Sequence, residues 1–155
     1  MLKLTIELVP QSCFFSNLRS NLSKKDWEKI RQECFFRANY RCEICHSTGG
    51  GRSLECHEIW QYDDLTHVQA LTGVIALCRS CHRVKHMALA RKMGWDMQAE
   101  EHLATINDWE MEQVNDYLEE VFEIFEQRGQ HPWKLDISWL QDKGVTIPDI
   151  LDRDQ

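Results

Sequence analysis

Four of the seven cysteines in the chain form two Cys-x-x-Cys pairs, Cys42 with Cys45 and Cys78 with Cys81. Four thiolates are the number and type of ligand that a tetrahedral zinc ion prefers in proteins. The segment between the pairs, residues 46–77, is longer than the roughly 15 to 20 residues usual in a zinc ribbon, so an additional element is expected there. The sequence therefore predicts one structural zinc ion bound by these four cysteines.

Three histidines predict a second metal site. His82 directly follows Cys81, and His86 lies four residues further along a predicted helix, so the two imidazoles share one face of that helix. His57 lies in "LECHEIW", a predicted strand, and becomes the third ligand if the intervening loop folds that strand against the helix. We expect a divalent cation, Mg, Mn, Ni or Zn, at these histidines.

The remaining cysteines leave one alternative open. The three histidines, with or without Cys56, would also suit a second, closed structural zinc site. Cys13 and Cys34 are expected to be small buried hydrophobic residues. Disulfides are not expected, because the number of cysteines is odd and a reducing compartment disfavours them.

A basic segment adjoins the predicted metal ligands. Between residues 78 and 92 there are five cations and no acid, an arrangement that can neutralise nucleic-acid phosphates beside a metal. The alternative is a solvated helix face without a ligand. The candidate nucleic-acid-binding residues are Arg79, Arg83, Lys85, Arg91 and Lys92.

The elements that must position these residues follow from periodicity and turn signals. "KLTIELV", near the start, alternates apolar and polar residues as a half-buried strand does, and Ser23 can cap a helix that runs to about Ala38. "RSLECHEIW" is a predicted strand, residues 61–77 a loop followed by a short apolar run, and the second cysteine pair opens a helix that ends near Gly94.

The last third of the chain is predicted to be mainly helical and acidic. A helix capped by Asn107 or Asp108 is expected to end at Gly129, with an apolar stripe on one face. "WKLDISWL" alternates as a short strand. The opposite face of the helix is acidic, and we name its six carboxylates the acidic face: Glu112, Asp116, Glu119, Glu120, Glu123 and Glu126.

Charge divides the chain into two unequal parts. Residues 1–92 carry 14 Lys and Arg against 9 Asp and Glu, whereas residues 93–155 carry 4 against 16, which together give the net charge of −7. A surface for a polyanion is therefore expected only in the first part. The acidic helix is most simply a solvated face; alternatively it covers the basic segment when DNA is absent, docks a protein partner or mediates self-association.

Length and hydropathy favour a single small protein without a membrane span. A chain of 155 residues suits one core with an appended part. Its apolar runs are shorter than a membrane-spanning helix, and the first residues do not resemble an export signal. We expect no membrane association and a cytoplasmic location.

The series Cys42-x-x-Cys45, "LECHEI" and "LCRSCHRVKH" resembles the HNH endonuclease motif in its zinc-containing form. The resemblance covers residues 41–87, and the flanking "CHEIWQYDD" and "WKLDISWL" are similar to a little-characterised bacterial and phage subgroup. It implies an α+β fold with a ββα-metal core, in which a β-hairpin and a helix hold one divalent ion. By the same resemblance His57, His82 and His86 bind the catalytic metal, and the four paired cysteines bind zinc.

Two positions depart from the family pattern. Glu58 stands where the family usually has its general-base histidine, and Gly73 stands where the central asparagine would fall. A carboxylate near a metal-bound phosphate can accept a proton from water, so Glu58 is the candidate base, with His57 as its catalytic neighbour. Asp63, Asp64 and His67, in the loop that follows, are the rival bases.

These features together predict a metal-dependent DNA endonuclease. The expected parts are an N-terminal strand and helix (1–40), a zinc-stabilised HNH-like core (41–93) and an acidic helical extension packed on the core (94–155). The alternative is a catalytically weak or inactive HNH-like zinc protein that binds nucleic acid or a regulatory partner.

Overall fold

The computed structural model describes residues 2–13, 17–48 and 54–147, and it has the mixed α+β fold that the sequence predicts. Three strands form one small sheet, and several helices surround it. The strands are β1 (Glu55–Asp63), β2 (Val68–Leu77) and β3 (Lys134–Asp136). The helices are α1 (Leu18–Asn21), α2 (Lys24–Arg37), α3 (Arg79–Lys85), α4 (Met87–Met93), α5 (Asp96–Asn107) and α6 (Met111–Gly129).

A long hairpin carries the first predicted metal ligand. β1 pairs antiparallel with β2 from Glu55 opposite Leu77 to Asp63 opposite Val68, with a bulge between Ile59 and Trp60. The predicted loop at residues 61–67 is therefore wrong in its first half, where the strand continues to Asp63. The turn occupies residues 64–67, and the start of the predicted strand at residues 52–53 lies outside the described residues.

The N-terminal segment has the predicted alternation but not the predicted strand. Leu4, Ile6 and Leu8 are buried, while the residues between them are more exposed. Among the described residues no strand pairs with this segment: the N–H of Ile6 donates to the hydroxyl of Tyr117 at 3.0 Å, and that of Glu7 to the carbonyl of Lys85 at 3.0 Å. This extended segment, residues 2–10, is called the strap, and it contacts the end of α3 and Tyr117 within α6.

The helix that follows the second cysteine pair is interrupted. Cys78 caps α3, whose last residue is Lys85, and His86 has non-helical dihedrals (φ −99°, ψ 52°) before α4 begins. α4 ends as predicted at Gly94, which takes a left-handed conformation (φ 76°) that favours glycine. Ser23 also caps α2 as predicted, since its hydroxyl accepts the N–H of Asp26 at 3.1 Å.

The C-terminal part differs most from the predictions. Asn107 and Asp108 are not the cap of the acidic helix, because Asn107 is the last residue of α5, an unpredicted helix. α6 starts after Glu110, which forms a capping box with Gln113, and it ends at Gly129 as predicted. β3 is only three residues long and pairs parallel with β2.

One hydrophobic core joins every part of the chain that the structure describes. It includes Leu4 from the strap, Leu77 from β2, Val84 from α3, Leu103 from α5 and Leu140 near the C-terminus, all fully buried. The predicted domain boundaries at 40/41 and 93/94 remain predictions. Within the described residues, no helix combines the length and apolar character that crossing a membrane requires.

Candidate metal centres and the adjoining cavity

The four paired cysteines come together as predicted. The sulfur atoms of Cys42, Cys45, Cys78 and Cys81 all lie within 4.8 Å of one another. The Sγ atoms of Cys45 and Cys78 are 3.6 Å apart, and the N–H of Cys81 points at the Sγ of Cys78 at 3.4 Å. Four convergent thiols at these distances could hold one metal ion, and three of the four residues are buried.

The first cysteine pair is fixed by contacts with β2. The N–H of Glu43 donates to the carbonyl of Ala76 at 2.9 Å, and the Oε2 atom of Glu43 accepts the N–H of Ala76 at 2.7 Å. His46 takes a left-handed conformation (φ 63°) that closes the turn, and its N–H donates to the carbonyl of Cys42 at 2.9 Å. The turn is therefore held in place by the sheet next to the second pair.

His102 is a neighbour of this cluster that the sequence did not indicate. His102 lies in α5, and its Nε2 atom is 3.2 Å from the Sγ atom of Cys81. An N–H donor to a metal-bound thiolate belongs to the outer contacts that orient ligands and adjust their charge. His102 thus links the helical part of the chain to the cysteine cluster.

The three predicted histidines also converge. One nitrogen of each imidazole lies within 4.8 Å of the others. β1 supplies His57, α3 supplies His82, and His86 lies at the break between α3 and α4. The Nε2 atoms of His82 and His86 are 3.0 Å apart, and their ring centroids lie 5.3 and 5.0 Å from that of His57. Three imidazoles from a strand and a helix could therefore hold a second metal ion.

Their surroundings favour the neutral form that binds metal. Burial, with a smaller contribution from the neighbouring histidines, lowers the pKa of His82 to about 3 and that of His86 to about 4. Neutral imidazole presents a free lone pair, whereas imidazolium does not. Near neutral pH these two side chains are consequently ready to bind a cation.

Glu7 contacts this site from the N-terminal strap. Its Oε2 atom contacts the Nε2 atom of His57, and its Oε1 atom accepts the N–H of Trp60 at 3.3 Å. The side chain of Glu7 is only 13% exposed and that of His57 only 4%. A carboxylate bound to one ring nitrogen fixes the tautomer and the orientation of a metal-binding histidine, which is the arrangement seen here.

Cys56 does not join the histidines. Its thiol is hydrogen-bonded to the thiol of Cys34, across the interface between β1 and α2. The two neighbours in β1, Cys56 and His57, point to opposite faces of the strand. Cys13 and Cys34 are buried, as predicted.

Glu58 lines the same cavity as His57 but already has a partner. Its Oε1 atom accepts the backbone N–H of Leu18 at 2.6 Å, at the start of α1. Burial raises the pKa of Glu58, while the hydrogen bond from Leu18 and the nearby His57 lower it. A higher pKa makes a carboxylate a stronger base, and the hydrogen bond gives Glu58 a structural role as well.

The rival bases lie at the far end of the hairpin. Asp63 is six residues beyond His57, which corresponds to about 20 Å along a strand. Its Oδ1 atom accepts the N–H groups of Leu65 and Thr66, and Asp64 pairs with Arg128 at 2.9 Å. Because β1 continues to Asp63, the turn that holds these rival bases does not lie over the histidine ligands. His67 likewise packs elsewhere, with its ring stacked on His131.

A cavity of about 1000 Å³ opens onto the histidine site. Its wall includes His57, His82 and His86 together with Glu7 and Glu58. On the other sides it is lined by residues of α1 and α2, among them Arg19, Lys24, Trp27 and Arg31. The histidine site is thus accessible to a ligand, in contrast to the buried cysteine cluster.

The five predicted phosphate-binding cations lie outside the described wall of this cavity. Arg83 stacks on Trp95 with its guanidinium carbon 4.4 Å from the ring centroid, and Arg91 stacks on Phe122 at 3.9 Å. Lys85 donates to the hydroxyl of Thr5 at 2.7 Å, and burial lowers its pKa. Arg79 and Lys92 are exposed on the surface.

The acidic face of α6 points to solvent. Its six carboxylates are all exposed. The ion pairs within the described residues are Arg31 with Glu28, His57 with Glu7 and Arg128 with Asp64, so none of them joins the acidic face to the basic segment. Helices α4 and α6 are instead in contact through Arg91 of α4, which stacks on Phe122 of the apolar stripe of α6.

Comparison of the chain with protein-family models, curated proteins and solved structures finds no match. Its chemistry must therefore be inferred from the geometry of its own residues.

Proposed function

We propose that the protein is a metal-dependent endonuclease that hydrolyses phosphodiester bonds of DNA at the histidine site. The observation that carries the proposal is the convergence of three imidazoles, from a β-hairpin and the following helix, on the wall of an open cavity. Three protein ligands with an accessible further position are typical of a catalytic metal, whereas a structural zinc site is closed. The order of hairpin and helix is also what the resemblance to the HNH motif implies.

The two clusters have different roles in this proposal. The four buried thiols bind a structural zinc ion, because thiolate ligands in a closed tetrahedral set suit zinc. The histidines bind the catalytic divalent ion, Mg, Mn, Ni or Zn. When bound there, such an ion supplies positive charge to the phosphoryl oxygens and lowers the pKa of coordinated water.

The side chains around the histidines would orient the ligands and accept the proton. Glu7 would hold the ring of His57 in place beside the two helical histidines. Glu58 shares the cavity wall with His57, although neighbouring strand residues point to opposite faces, and burial raises its pKa. A buried carboxylate on this wall is the candidate general base for water. The backbone N–H of Leu18 and the side chain of Trp60 are both hydrogen-bonded to this carboxylate and would hold it in place.

Plasmid cleavage tests the proposal. Supercoiled plasmid is incubated with the full chain and one of Mg, Mn, Ni or Zn at a time, and wild type is compared with His82→Ala and Glu58→Gln. We expect nicked and linear products from wild type, none from His82→Ala, and a rate lowered about 10²- to 10⁴-fold in Glu58→Gln, as expected for the loss of a general base. No product with any metal would remove the endonuclease claim.

The second candidate function is nucleic-acid or partner binding without cleavage. The observation that favours it is the hydrogen bond between Glu58 and Leu18, which gives this carboxylate a structural reason to be present. Cleavage that survives in Glu58→Gln but is lost in His82→Ala would show that another group accepts the proton. Binding of DNA without cleavage under all metal conditions would favour the second candidate.

A further inference from the structure

We propose that the cavity beside the histidines is the binding site for a single nucleic-acid strand, and that Arg19 and Lys24 hold its phosphates. This inference rests on the proposed function, because it describes how the substrate would reach the histidines. It also moves the nucleic-acid interface away from the basic segment at residues 78–92, where the sequence predicts it. The new interface is formed by α1, α2 and β1.

Two exposed cations on the cavity wall support this placement. Arg19 lies in α1, and Lys24 lies at the start of α2. Besides these two cations and Arg31, four acids line the wall, Glu7, Glu28, Glu55 and Glu58, and the first, second and fourth of them are already engaged. Glu7 contacts His57, Glu58 accepts the N–H of Leu18, and Glu28 pairs with Arg31 at 3.0 Å. The two exposed cations are thus the groups on this wall that suit an incoming phosphate.

Aromatic rings support a single strand rather than an intact duplex. Trp27 and Trp60 line the cavity and are only partly buried. A partly exposed indole offers a flat surface on which an unpaired base can stack, whereas a duplex keeps its base faces covered. A strand bound through Arg19 and Lys24 would place its bases toward these rings and its backbone toward the histidines.

The basic segment is less suited to the same role. Arg83 and Arg91 stack on rings of the protein, and Lys85 donates to Thr5 inside the fold. Releasing these contacts would offset part of any gain from binding phosphate. Arg79 and Lys92 remain exposed, and they provide a matched control because they carry the same charge as Arg19 and Lys24.

Binding of a hydrolysis-resistant strand tests the inference independently of cleavage. A fluorescently labelled phosphorothioate single strand is titrated with the full chain, and its anisotropy is measured at several salt concentrations. We compare Arg19→Glu/Lys24→Glu with Arg79→Glu/Lys92→Glu, which change the net charge by the same amount at exposed positions. A duplex of the same length serves as competitor.

We expect the first double variant to weaken binding by at least about tenfold and to reduce the slope of log affinity against log salt by roughly 1.4, the value for two phosphate contacts on a single strand. The control should stay within about threefold of wild type, as unspecific charge effects are screened. An equal or larger loss in the control, tighter binding of the duplex, or no binding by wild type would each overturn the inference. Plasmid cleavage that persists alongside such a result would leave the proposed function standing.

Discussion

At the scale of single residues, the histidine site depends on a contact that joins distant parts of the chain. His57 is held by Glu7, fifty residues earlier in the sequence. His82 and His86 lie on adjacent turns of one helical region, so their spacing alone predicts that they bind the same metal ion. Spacing gave no signal for Glu7, which appears in the sequence as an outward-facing polar residue of an alternating segment.

Replacing Glu7 by Gln should weaken metal binding at the histidines. The amide keeps the size of the side chain but loses the charge that orients His57, and removal of such outer partners commonly costs about 10- to 100-fold in metal affinity. Competition titration with a chromophoric chelator measures the affinity. Glu123→Gln, on the exposed acidic face, is the matched control and should bind metal as wild type does; equal affinities in all three proteins would contradict this role of Glu7.

Two cysteines that are similarly buried should behave differently when changed. Cys42 is 0% exposed and belongs to the four-thiol cluster, whereas Cys34 is 1% exposed and pairs with Cys56. Elemental analysis of the purified proteins should show one zinc ion per chain fewer in Cys42→Ala and no loss in Cys34→Ala. Cys42→Ala should also unfold at a lower temperature, because a structural zinc stabilises the fold directly. Unchanged zinc content in Cys42→Ala would exclude the cluster as a zinc site.

At the scale of elements, local sequence patterns predicted helix boundaries correctly where the residues that form them are close in sequence. The cap at Ser23, the end of α4 at Gly94 and the end of α6 at Gly129 are set by one or two residues each, and all three were predicted. Residues 3–9 of the strap were predicted as a strand because alternation of apolar and polar residues has the period of a strand. The sequence could not show that its neighbours are Lys85 and Tyr117 instead of another strand.

The paired metal ligands could be predicted because the two members of each pair lie close together in sequence. The cavity around them and the positions of the rival bases could not. Paired cysteines and histidines at i, i+4 carry their geometry in their spacing. The cavity arises because α1 and α2 pack near β1, and the length of the hairpin carries the rival bases away. Both depend on contacts between residues far apart in sequence. The sequence therefore did not indicate Arg19 and Lys24 of the cavity wall as phosphate-binding residues, and it indicated the cations of residues 78–92, next to the metal ligands, instead.

The C-terminal elements should be necessary for folding, although most of them lie away from the metal ligands. Leu140, after β3, is 0% exposed in the common core. Leu140→Ala should lower the free energy of unfolding by about 2–5 kcal/mol, the usual cost of a large buried side chain. Ile124, which is 36% exposed on α6, is the control, and Ile124→Ala should cost less than about 1 kcal/mol. Denaturant unfolding measures both, and equal effects would contradict the burial described here.

At the scale of the whole molecule, the acidic and basic parts of the chain form one core but keep their charged faces apart. α6 packs through its apolar stripe and leaves the acidic face exposed. Deleting residues 105–155 would remove buried Val114, Leu118 and Leu140 from the core. Such a truncation is therefore expected to unfold and cannot test whether the acidic face covers DNA-binding cations.

Neutralising the acidic face in the full chain gives the sharper test. Glu119→Gln/Glu123→Gln/Glu126→Gln keeps the helix and its packing, since all three side chains are exposed. At physiological salt, affinity for the single strand should change by less than about threefold, because interactions between solvent-exposed charges are weakened by salt. A much larger gain in affinity would show that the acidic face does cover the nucleic-acid site.

The central claim is that the histidine site is catalytic, and activity followed against metal occupancy tests it most directly. The full chain, with its thiol cluster loaded with zinc and its histidines metal-free, is titrated with Mn²⁺ while bound Mn²⁺ and plasmid nicking are measured in the same samples. Nicking should be absent at the start, rise in proportion to bound metal and level off at one Mn²⁺ per chain, and His82→Ala should show neither the binding nor the activity. Nicking without metal at the histidines, or one tightly bound Mn²⁺ per chain without any nicking, would contradict the claim.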